Sequence, residues 1–196
     1  MSNERQIYNL FGTPFFIFNL KKSHKKINAS LKRLAYQVNK FEGVKKSNRS
    51  GYQSDFLKDK LLEDLIKSTQ KYFTEFAEEI GLLKPWSCNN HLPWININKK
   101  ESFNALHTHG GEDFSLVYYI QVPQNSGAIV FETPVLHLRT SELKYNNQPF
   151  FNSPEIRYVP KKYDLIIFPS WLAHSVESNK SDEDRISLAW NTKITQ

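Results

Sequence analysis

The chain has 196 residues, a hydrophobic content of 39% and a formal net charge of +6. This length predicts one domain with enough residues to bury a core. Cys88 is the only cysteine, which excludes an intramolecular disulfide and fits a reducing compartment. No apolar run approaches the roughly 20 residues of a membrane span, and the polar start of the chain does not resemble a signal peptide. We therefore expect a cytoplasmic protein with no membrane partner.

Basic residues concentrate in the first half of the chain, in KKSHKK (21–26) and around residues 44–49. A nucleic-acid-binding domain would place such charges on one face. We interpret the first stretch as a solvated helix face, with His24 in solvent, and the diffuse charge argues against a nucleic-acid partner. A homodimer is expected only because dimers are common.

The first predicted elements are a broken strand and a helix. Residues 7–20, IYNLFGTPFFIFNL, predict a short strand on either side of the break at Gly12–Pro14. Apolar residues then recur at helical spacing from Ile27 to Val38, which predicts a helix over about 24–41.

A polar loop and a second helix follow. GVKKSNRSGYQS (43–54) has the composition of a loop, and either it forms part of a substrate entrance or it only caps the next helix. The candidate substrate-binding residues in it are Asn48, Arg49, Tyr52 and Gln53. Ser54 or Asp55 is the predicted cap of a helix that ends near Ile80, before Gly81.

From about residue 91 the chain becomes a series of short strand-like segments separated by turn residues. They read LPWININ, FSLVYYIQV, GAIVFE, EIRYVP, DLIIFPS and RISLAWN. Such a series predicts an all-β sandwich or barrel. The predicted fold is mainly β with N-terminal helices (α+β). It forms one domain over 1–196, in which 1–90 supply a strand and two helices that pack on a catalytic core at 91–196.

Three of the six histidines are candidate metal ligands. His107 and His109 are two residues apart, so on a strand they would point to the same side. His174 lies far downstream, after DLIIFPSWLA, and completes a two-plus-one arrangement. Three ligands on one face of an octahedron leave three positions open. An HxH pair alone often marks surface histidines, and His91 and His137 have no partner nearby in sequence.

Arg185 and Ser187 strengthen the case for a binding site. They follow His174 by about ten residues and share one face of the strand RISLAWN. A guanidinium can bind a carboxylate through two hydrogen bonds, and a neighbouring hydroxyl can add a third. This pair therefore predicts a carboxylate site close to the predicted metal.

These segments together resemble a family of iron(II)- and 2-oxoglutarate-dependent oxygenases found in bacteria and tailed phages. The resemblance rests on WININ, HTHGGEDFSLVYYIQVP, GAIVFETP, DLIIFPSWLAHSV and RISLAWN, in that order. LFGTPFFIF and SNRSGYQS also resemble the leading segment of this family. The match therefore spans nearly the whole chain, and it implies a double-stranded β-helix (jelly-roll, cupin-like) core.

The resemblance also implies roles for particular residues. His107, His109 and His174 would bind Fe(II), and Arg185 with Ser187 would bind the distal carboxylate of 2-oxoglutarate. Tyr119 matches a position that contacts the same carboxylate in related prolyl hydroxylases, although it could equally be a core tyrosine. The implied activity is a dioxygenase that uses O₂, converts 2-oxoglutarate to succinate and hydroxylates an unidentified small molecule or protein side chain.

The wider superfamily carries a carboxylate at the position of His109, which leaves three solutions for the metal site. In the first, which we favour, His107, His109 and His174 all bind, because strand alternation places the first two on one face and imidazole suits Fe(II). In the second, Asp113 or Glu112 folds back through the glycines of the loop. In the third, Glu132 approaches from a neighbouring strand.

Two other functions remain compatible with the same residues. A three-histidine cupin-type dioxygenase would need no 2-oxoglutarate, but it would leave Arg185 without a role. A non-enzymatic jelly-roll binding or structural module would make the spacing of the histidines and Arg185 coincidental. Four aromatic residues near the motifs are expected to lie mostly in the core, with one or two lining the pocket: Trp94, Phe114, Trp171 and Trp190.

Overall fold

The computed structural model describes residues 12–140 and 153–196, so the part of the predicted first strand that precedes Gly12 lies outside them. The described residues form three helices: α1 (Lys21–Val38), α2 (Lys60–Glu79) and α3 (Leu136–Thr140). They also form twelve strands: β1 (Phe16–Asn19), β2 (Asn48–Arg49), β3 (Tyr52–Gln53), β4 (Ser87–Asn90), β5 (Trp94–Asn98), β6 (Phe103–His107), β7 (Phe114–Gln121), β8 (Ile129–Glu132), β9 (Glu155–Tyr158), β10 (Asp164–Pro169), β11 (His174–Val176) and β12 (Arg185–Thr195).

The strands form two antiparallel sheets. The larger one has the order β1-β10-β7-β12-β5-β3, and β4 pairs with β12. The smaller one has the order β2-β6-β11-β8-β9. This arrangement confirms the predicted mainly β fold with N-terminal helices and a double-stranded β-helix core. Strands β1 to β4 come from the first 90 residues, so the N-terminal region adds strands to both sheets as well as its two helices.

Alternation along the strands of the larger sheet separates two hydrophobic cores. On β12, Ile186, Leu188 and Trp190 pack in a core shared with α1 and α2. Arg185 and Ser187, which alternate with these residues along β12, face the opposite side. There a second apolar cluster forms, with members from β7, β8, β10 and the turn after β10: Tyr119, Ile129, Phe131, Ile166, Phe168 and Leu172. The larger sheet therefore rests on the helices with one face and presents polar residues to the smaller sheet with the other.

The helix boundaries differ from the predicted ones. Both ends of α1 lie about three residues earlier in the chain than predicted. The cap of α2 is Asp59, whose side chain accepts a hydrogen bond from the backbone N–H of Leu61 at 2.8 Å. Ser54 does not cap this helix, because its hydroxyl accepts a hydrogen bond from the N–H of Ile95 and thereby joins β3 to β5. The predicted loop around it contains the short strands β2 and β3.

The prediction that His24 lies in solvent was wrong. Its side chain is 4% exposed and lies between α1 and α2. Its ring nitrogens share hydrogen bonds with the hydroxyls of Ser23 and Ser68, at 2.7 and 2.8 Å. Burial lowers the pKa of His24. The basic residues around it gave no sign of this, because only one face of the helix is buried.

Among the described residues no helix has the length and apolar character to cross a membrane.

Substitution of Phe76 measures how much the packing of α2 on the larger sheet contributes to stability. Its side chain is fully buried, and its ring packs edge-on against those of Phe16 and Phe114, each with centroids 5.0 Å apart. We expect Phe76→Ala to lower the free energy of unfolding by about 3–5 kcal/mol, through lost burial and the cavity left behind. Urea unfolding measures this. The matched control is Phe41→Ala, at a ring that is 74% exposed, where a change within about 0.5 kcal/mol is expected. Equal effects at the two positions would contradict the assignment of the core.

Candidate active site

A cavity of about 630 Å³ opens between the two sheets. The larger sheet contributes β5, β7 and β12 to its walls, and the smaller sheet contributes β6, β8 and β11. The six residues that the sequence singled out all line this cavity: His107, His109, Tyr119, His174, Arg185 and Ser187. The fold thus brings into one space residues that come from three separate segments of the chain.

The three histidines converge at one place in the cavity. His107 ends β6 and His174 begins β11, and the two are directly paired across these strands. His109 lies two residues beyond the end of β6, where its backbone N–H donates to the carbonyl of Ser170 at 2.9 Å. The three side chains each offer a ring nitrogen within 4.8 Å of the others. The histidines therefore meet as expected, but the reason given for His109 was wrong, because a loop and not strand alternation positions it.

Hydrogen bonds fix the same tautomer in all three rings. Nδ1 of His107 lies 2.8 Å from the carbonyl oxygen of Ala105, and Nδ1 of His174 lies 2.9 Å from that of Leu172. Nδ1 of His109 lies 2.9 Å from the side-chain oxygen of Asn191. Backbone carbonyl and side-chain amide oxygens only accept hydrogen bonds. Each Nδ1 therefore carries the proton, and each Nε2 keeps a free lone pair. Metal-binding histidines are commonly oriented by such a bond from the second ring nitrogen.

The electrostatics favour neutral rings, which is the form that binds a metal. Burial lowers the pKa of His107, and burial with the nearby His107 lowers that of His109 to about 4. Burial and the same neighbour lower the pKa of His174 to about 3. Nε2 of His109 is buried without a hydrogen-bond partner among the described residues. An unpartnered buried nitrogen is unfavourable by itself, and a divalent metal bound by three imidazoles would satisfy it.

The candidate carboxylates are engaged elsewhere. Asp113 accepts a hydrogen bond from the N–H of Ile194 at 2.7 Å, through Oδ2. Oε1 of Glu112 lies 3.0 Å from Nδ1 of His91, while its Oε2 is buried without a hydrogen-bond partner among the described residues. Glu132 forms an ion pair with Arg139. Among residues 12–140 and 153–196, the only group of three or more side chains suited to hold a metal consists of the three histidines. This arrangement favours the three-histidine solution over either carboxylate solution.

Arg185, Ser187 and Tyr119 form a polar patch on the face of the larger sheet that lines the cavity. Ser187 and Tyr119 are directly paired across β12 and β7, and Arg185 lies two residues before Ser187 on the same face. Nη1 of Arg185 donates to the carbonyl of Ser126 at 3.0 Å. Burial raises the pKa of Tyr119 above its usual value, so its hydroxyl is protonated and can donate. The patch offers a guanidinium and two hydroxyls to one ligand.

The charge of Arg185 is buried without a matching anion among the described residues. Its side chain is 2% exposed, and burial lowers its pKa to about 10, so it remains a cation at neutral pH. Glu177 is the carboxylate that raises the pKa of Arg185, and it already binds Arg157 through two hydrogen bonds of 2.7 and 2.8 Å. Because a buried charge is unfavourable unless it is paired, this site is suited to an anionic ligand.

Two residues that the sequence had not assigned to the cavity also line it, Asn96 and Asn98. Alternation along β5 turns Trp94, Asn96 and Asn98 into the cavity. The side-chain oxygen of Asn96 is buried without a hydrogen-bond partner among the described residues. The alternation in WININ was visible in the sequence, but it did not show which face was open.

Only two of the four candidate residues in the predicted substrate loop line the cavity. Arg49 and Gln53 line the cavity, whereas Asn48 and Tyr52 do not. The hydroxyl of Tyr52 instead donates to the carbonyl of Val38. The four aromatic residues near the motifs also differ in position. Trp94 lines the cavity, Trp171 is exposed, and both Phe114 and Trp190 pack in the core on the helix side.

Asn191 is expected to set the orientation of His109. Its side-chain oxygen accepts hydrogen bonds from both His109 and the hydroxyl of Ser115, each at 2.9 Å. We expect Asn191→Leu, which removes this acceptor, to weaken metal binding by about 10- to 100-fold, as loss of an outer-shell partner commonly does. A competition titration with a chromogenic chelator measures it. Asn191→Asp keeps the acceptor and is the control, for which tight metal binding is expected. If the two variants bind metal equally, the orienting role is excluded.

Comparisons with known proteins agree with this site. Residues 93–191 match the family described as "Putative 2OG-Fe(II) oxygenase". The curated proteins give no match. Among solved structures, a viral collagen prolyl hydroxylase from Paramecium Bursaria Chlorella virus-1, in complex with 2OG, is similar with a TM-score of 0.61 and 12% identity, covering 92% of this chain and 96% of that one.

Two bacterial structures are similar to the same extent. A prolyl-4-hydroxylase from Pseudomonas putida has a TM-score of 0.61 and 12% identity, with 94% of this chain and 95% of that one covered. HygX from Streptomyces hygroscopicus, with nickel and 2-oxoglutarate bound, has a TM-score of 0.63 and 10% identity, with 92% and 83% covered. Identities this low show a shared fold alone. The family match, in contrast, spans half of the chain and includes the three histidines, Arg185 and Asn191. The chain therefore belongs to the family of iron(II)- and 2-oxoglutarate-dependent oxygenases.

Proposed function

We propose that this oxygenase hydroxylates an as yet unidentified substrate and converts 2-oxoglutarate to succinate. One observation carries the proposal: a single cavity holds three neutral imidazoles and a buried, unmatched guanidinium. The first group is suited to Fe(II), and the second is suited to the far carboxylate of a dicarboxylic acid. When bound, iron supplies the oxygen chemistry by which one atom of O₂ enters the substrate, the other enters succinate, and CO₂ leaves.

His107, His109 and His174 would hold the iron through Nε2. All three are neutral, so the site adds no negative charge to Fe(II). Three neutral imidazoles would therefore strengthen the attraction of the site for the keto-acid end of the anionic co-substrate. Because the Nδ1 protons are already used in hydrogen bonds, the rings do not need to reorient on binding.

Arg185 would bind the distal carboxylate, with Ser187 and Tyr119 as further hydrogen-bond donors. A guanidinium that binds a carboxylate with two parallel hydrogen bonds also fixes its direction. The far end of 2-oxoglutarate would then be held at β12 and its keto-acid end directed toward the histidines. This division of tasks positions the co-substrate before the substrate enters.

Aromatic side chains close the walls around the histidines. The ring of Phe168 lies 4.9 Å from that of His174, and the ring of Trp94 lies 5.6 Å from that of His109, between centroids. Both aromatic residues line the cavity. An apolar wall excludes water from the reacting centre and so protects an oxidising site from side reactions.

Turnover of 2-oxoglutarate tests the proposal. Purified protein is loaded with Fe(II) and 2-oxoglutarate without oxygen, the binding heat of each is measured, and succinate is quantified after exposure to air. We expect both ligands to bind and succinate to form slowly without substrate. His174→Ala should abolish succinate formation. A screen of candidate substrates, read by mass spectrometry for a gain of one oxygen atom, then tests for hydroxylation.

Different results would favour the alternative functions. If iron binds tightly but 2-oxoglutarate neither binds nor turns over, a three-histidine cupin-type dioxygenase explains the site better. If the protein binds no iron, neither enzymatic function holds, and a jelly-roll binding module remains. The unmatched charge of Arg185 is the observation that argues against both alternatives, because neither gives it a ligand.

A further inference from the structure

We propose that the substrate carries an anionic group, a carboxylate or a phosphate, that binds Lys46 and Arg49 at the rim of the cavity. This inference rests on the proposed function and names the chemical class of its substrate. Lys46 and Arg49, together called the cationic rim below, both line the cavity and are both exposed to solvent.

The pairing of β2 with β6 brings the cationic rim close to the histidines. Arg49 is paired with Phe103, and the carbonyl of Ser47 accepts a hydrogen bond from the N–H of Ala105 at 2.8 Å. Continued in the same antiparallel register, Lys46 lies beside Leu106, the residue before His107. A group bound to the cationic rim would therefore lie along the strand that carries one of the proposed iron ligands.

Arg49 is held in place with donors to spare. Its Nη1 donates to the carbonyls of Lys46, Ser47 and Asn48, at 3.0, 3.2 and 3.0 Å. These bonds all leave from one nitrogen, so Nε and Nη2 keep donors for a ligand. Neither Arg49 nor Lys46 forms an ion pair with a carboxylate of the described residues. A pre-ordered guanidinium loses less conformational entropy when it binds an anion than a mobile one does.

The remaining charges of the cavity also favour an anion. Arg185 and Fe(II) together carry three positive charges, and the two carboxylates of 2-oxoglutarate offset two of them. Glu112 is the one acidic residue among the described residues that line the cavity, and it is paired with His91. Among the described residues, the cationic rim is therefore left without a counter-charge after metal and co-substrate have bound. A cavity with apolar walls focuses such a field and attracts an anionic substrate.

An exposed apolar side chain also lines the cavity. Phe56 is 61% exposed and packs edge-on against Trp94, with centroids 6.0 Å apart. Both rings line the cavity. A substrate whose anionic group binds the cationic rim could therefore place a flat or apolar body against Phe56. Small aromatic anions reproduce both features and are suitable probes.

The test measures probe binding to protein loaded with Ni(II), in place of Fe(II), and with saturating 2-oxoglutarate. Phenyl phosphate, benzoate and the neutral benzyl alcohol are titrated by calorimetry at two ionic strengths. We expect one or both anions to bind at least ten-fold more tightly than benzyl alcohol, with an affinity that falls as salt is raised. The anion that binds more tightly identifies the carboxylate or the phosphate class.

Variants locate the binding site. Lys46→Gln should weaken anion binding by about ten-fold, in line with the loss of one charge-assisted contact. Arg49→Gln should weaken it similarly, and Arg49→Lys, which keeps the charge, should weaken it less. The matched control is Lys45→Gln, because Lys45 lies in the same loop but does not line this cavity. We expect its affinity to change by less than two-fold.

Two outcomes would overturn the proposal. One is equal or tighter binding of benzyl alcohol. The other is anion binding that is absent, or that Lys46→Gln and Arg49→Gln leave unchanged. The loading step reports separately on the proposed function: if 2-oxoglutarate does not bind the Ni(II) protein, that function fails, whatever the probes do. The two failures are therefore distinguished within one experiment.

Discussion

His109→Ala is expected to weaken the binding of divalent iron by at least about 100-fold. Removal of an outer-shell partner already weakens metal binding by about 10- to 100-fold, and His109 is proposed to be a ligand itself. The structure supports the direction, because the buried Nε2 of His109 has no hydrogen-bond partner in the described part of the chain and lies close to the other two histidines. Anaerobic titration with Fe(II), in competition with a chelator of known affinity, measures the change.

Asp113→Asn is the matched control for this prediction. The side chain of Asp113 accepts a hydrogen bond from the N–H of Ile194, and an asparagine oxygen can accept the same bond. We therefore expect this variant to keep the stability of the original protein. Its affinity for iron should change by less than about three-fold. If Asp113→Asn loses iron and His109→Ala retains it, the carboxylate solution is correct and His109 is an outer-shell residue.

A third variant, His109→Asp, distinguishes a ligand from a merely structural residue. It introduces the carboxylate that the wider superfamily carries at this position. If His109 binds the metal directly, His109→Asp should recover a large part of the iron affinity lost in His109→Ala, because aspartate is itself a ligand of such sites. A structural role for the imidazole would give no such recovery. Thermal unfolding of each variant without metal shows whether the fold has been kept.

The sequence identified the residues that meet in the cavity better than it predicted how they are positioned. His107, His109, His174 and Arg185 were identified by residue type and spacing, and the structure places all four in one cavity. Strand alternation predicted the position of His107 but not that of His109, which is set by a backbone hydrogen bond to Ser170. Contacts between segments of the chain this far apart depend on the pairing of distant strands, such as β11 with β6 and β12 with β7, which no local pattern reveals.

Asn191 illustrates what a single sequence leaves open. It lies on the same face of β12 as Arg185 and Ser187, so alternation alone would have directed it into the cavity. Its role becomes visible only when β7 brings Ser115 beside it and the loop brings His109. His24 is the opposite case, because a run of basic neighbours concealed the buried face of its helix. Side-chain periodicity shows which residues share a face, but tertiary packing decides what that face meets.

Arg185→Gln is expected to raise the Kd for 2-oxoglutarate by at least about 30-fold. Loss of one partner of a buried, hydrogen-bonded charge pair commonly costs about 2–5 kcal/mol of binding free energy. Glutamine is shorter and neutral, and it cannot form the two parallel bonds of a guanidinium. Calorimetry on the Ni(II) protein measures the Kd without turnover. We expect the affinity for iron to stay unchanged, because Arg185 does not belong to the group of side chains that is suited to hold a metal.

Two further variants make this prediction specific. Arg185→Lys keeps the charge but loses the planar fork, so we expect a Kd between those of the original protein and Arg185→Gln. The control is Arg33→Gln on the exposed side of α1, where an arginine is lost far from the cavity and no change is expected. If Arg185→Gln remains folded and binds 2-oxoglutarate normally, the carboxylate site lies elsewhere.

The pH dependence of 2-oxoglutarate binding provides an independent check on Arg185. Burial lowers the pKa of this guanidinium from 12.5 to about 10, and only its protonated form attracts a carboxylate. The contribution of Arg185 should therefore be complete at pH 7 to 8 and should decrease as the pH rises through 10. A bound carboxylate stabilises the cation and raises its pKa, so the loss should begin at a higher pH when the co-substrate is saturating. For Arg185→Gln the high-pH loss should disappear, whereas an unchanged profile would assign that titration to another group.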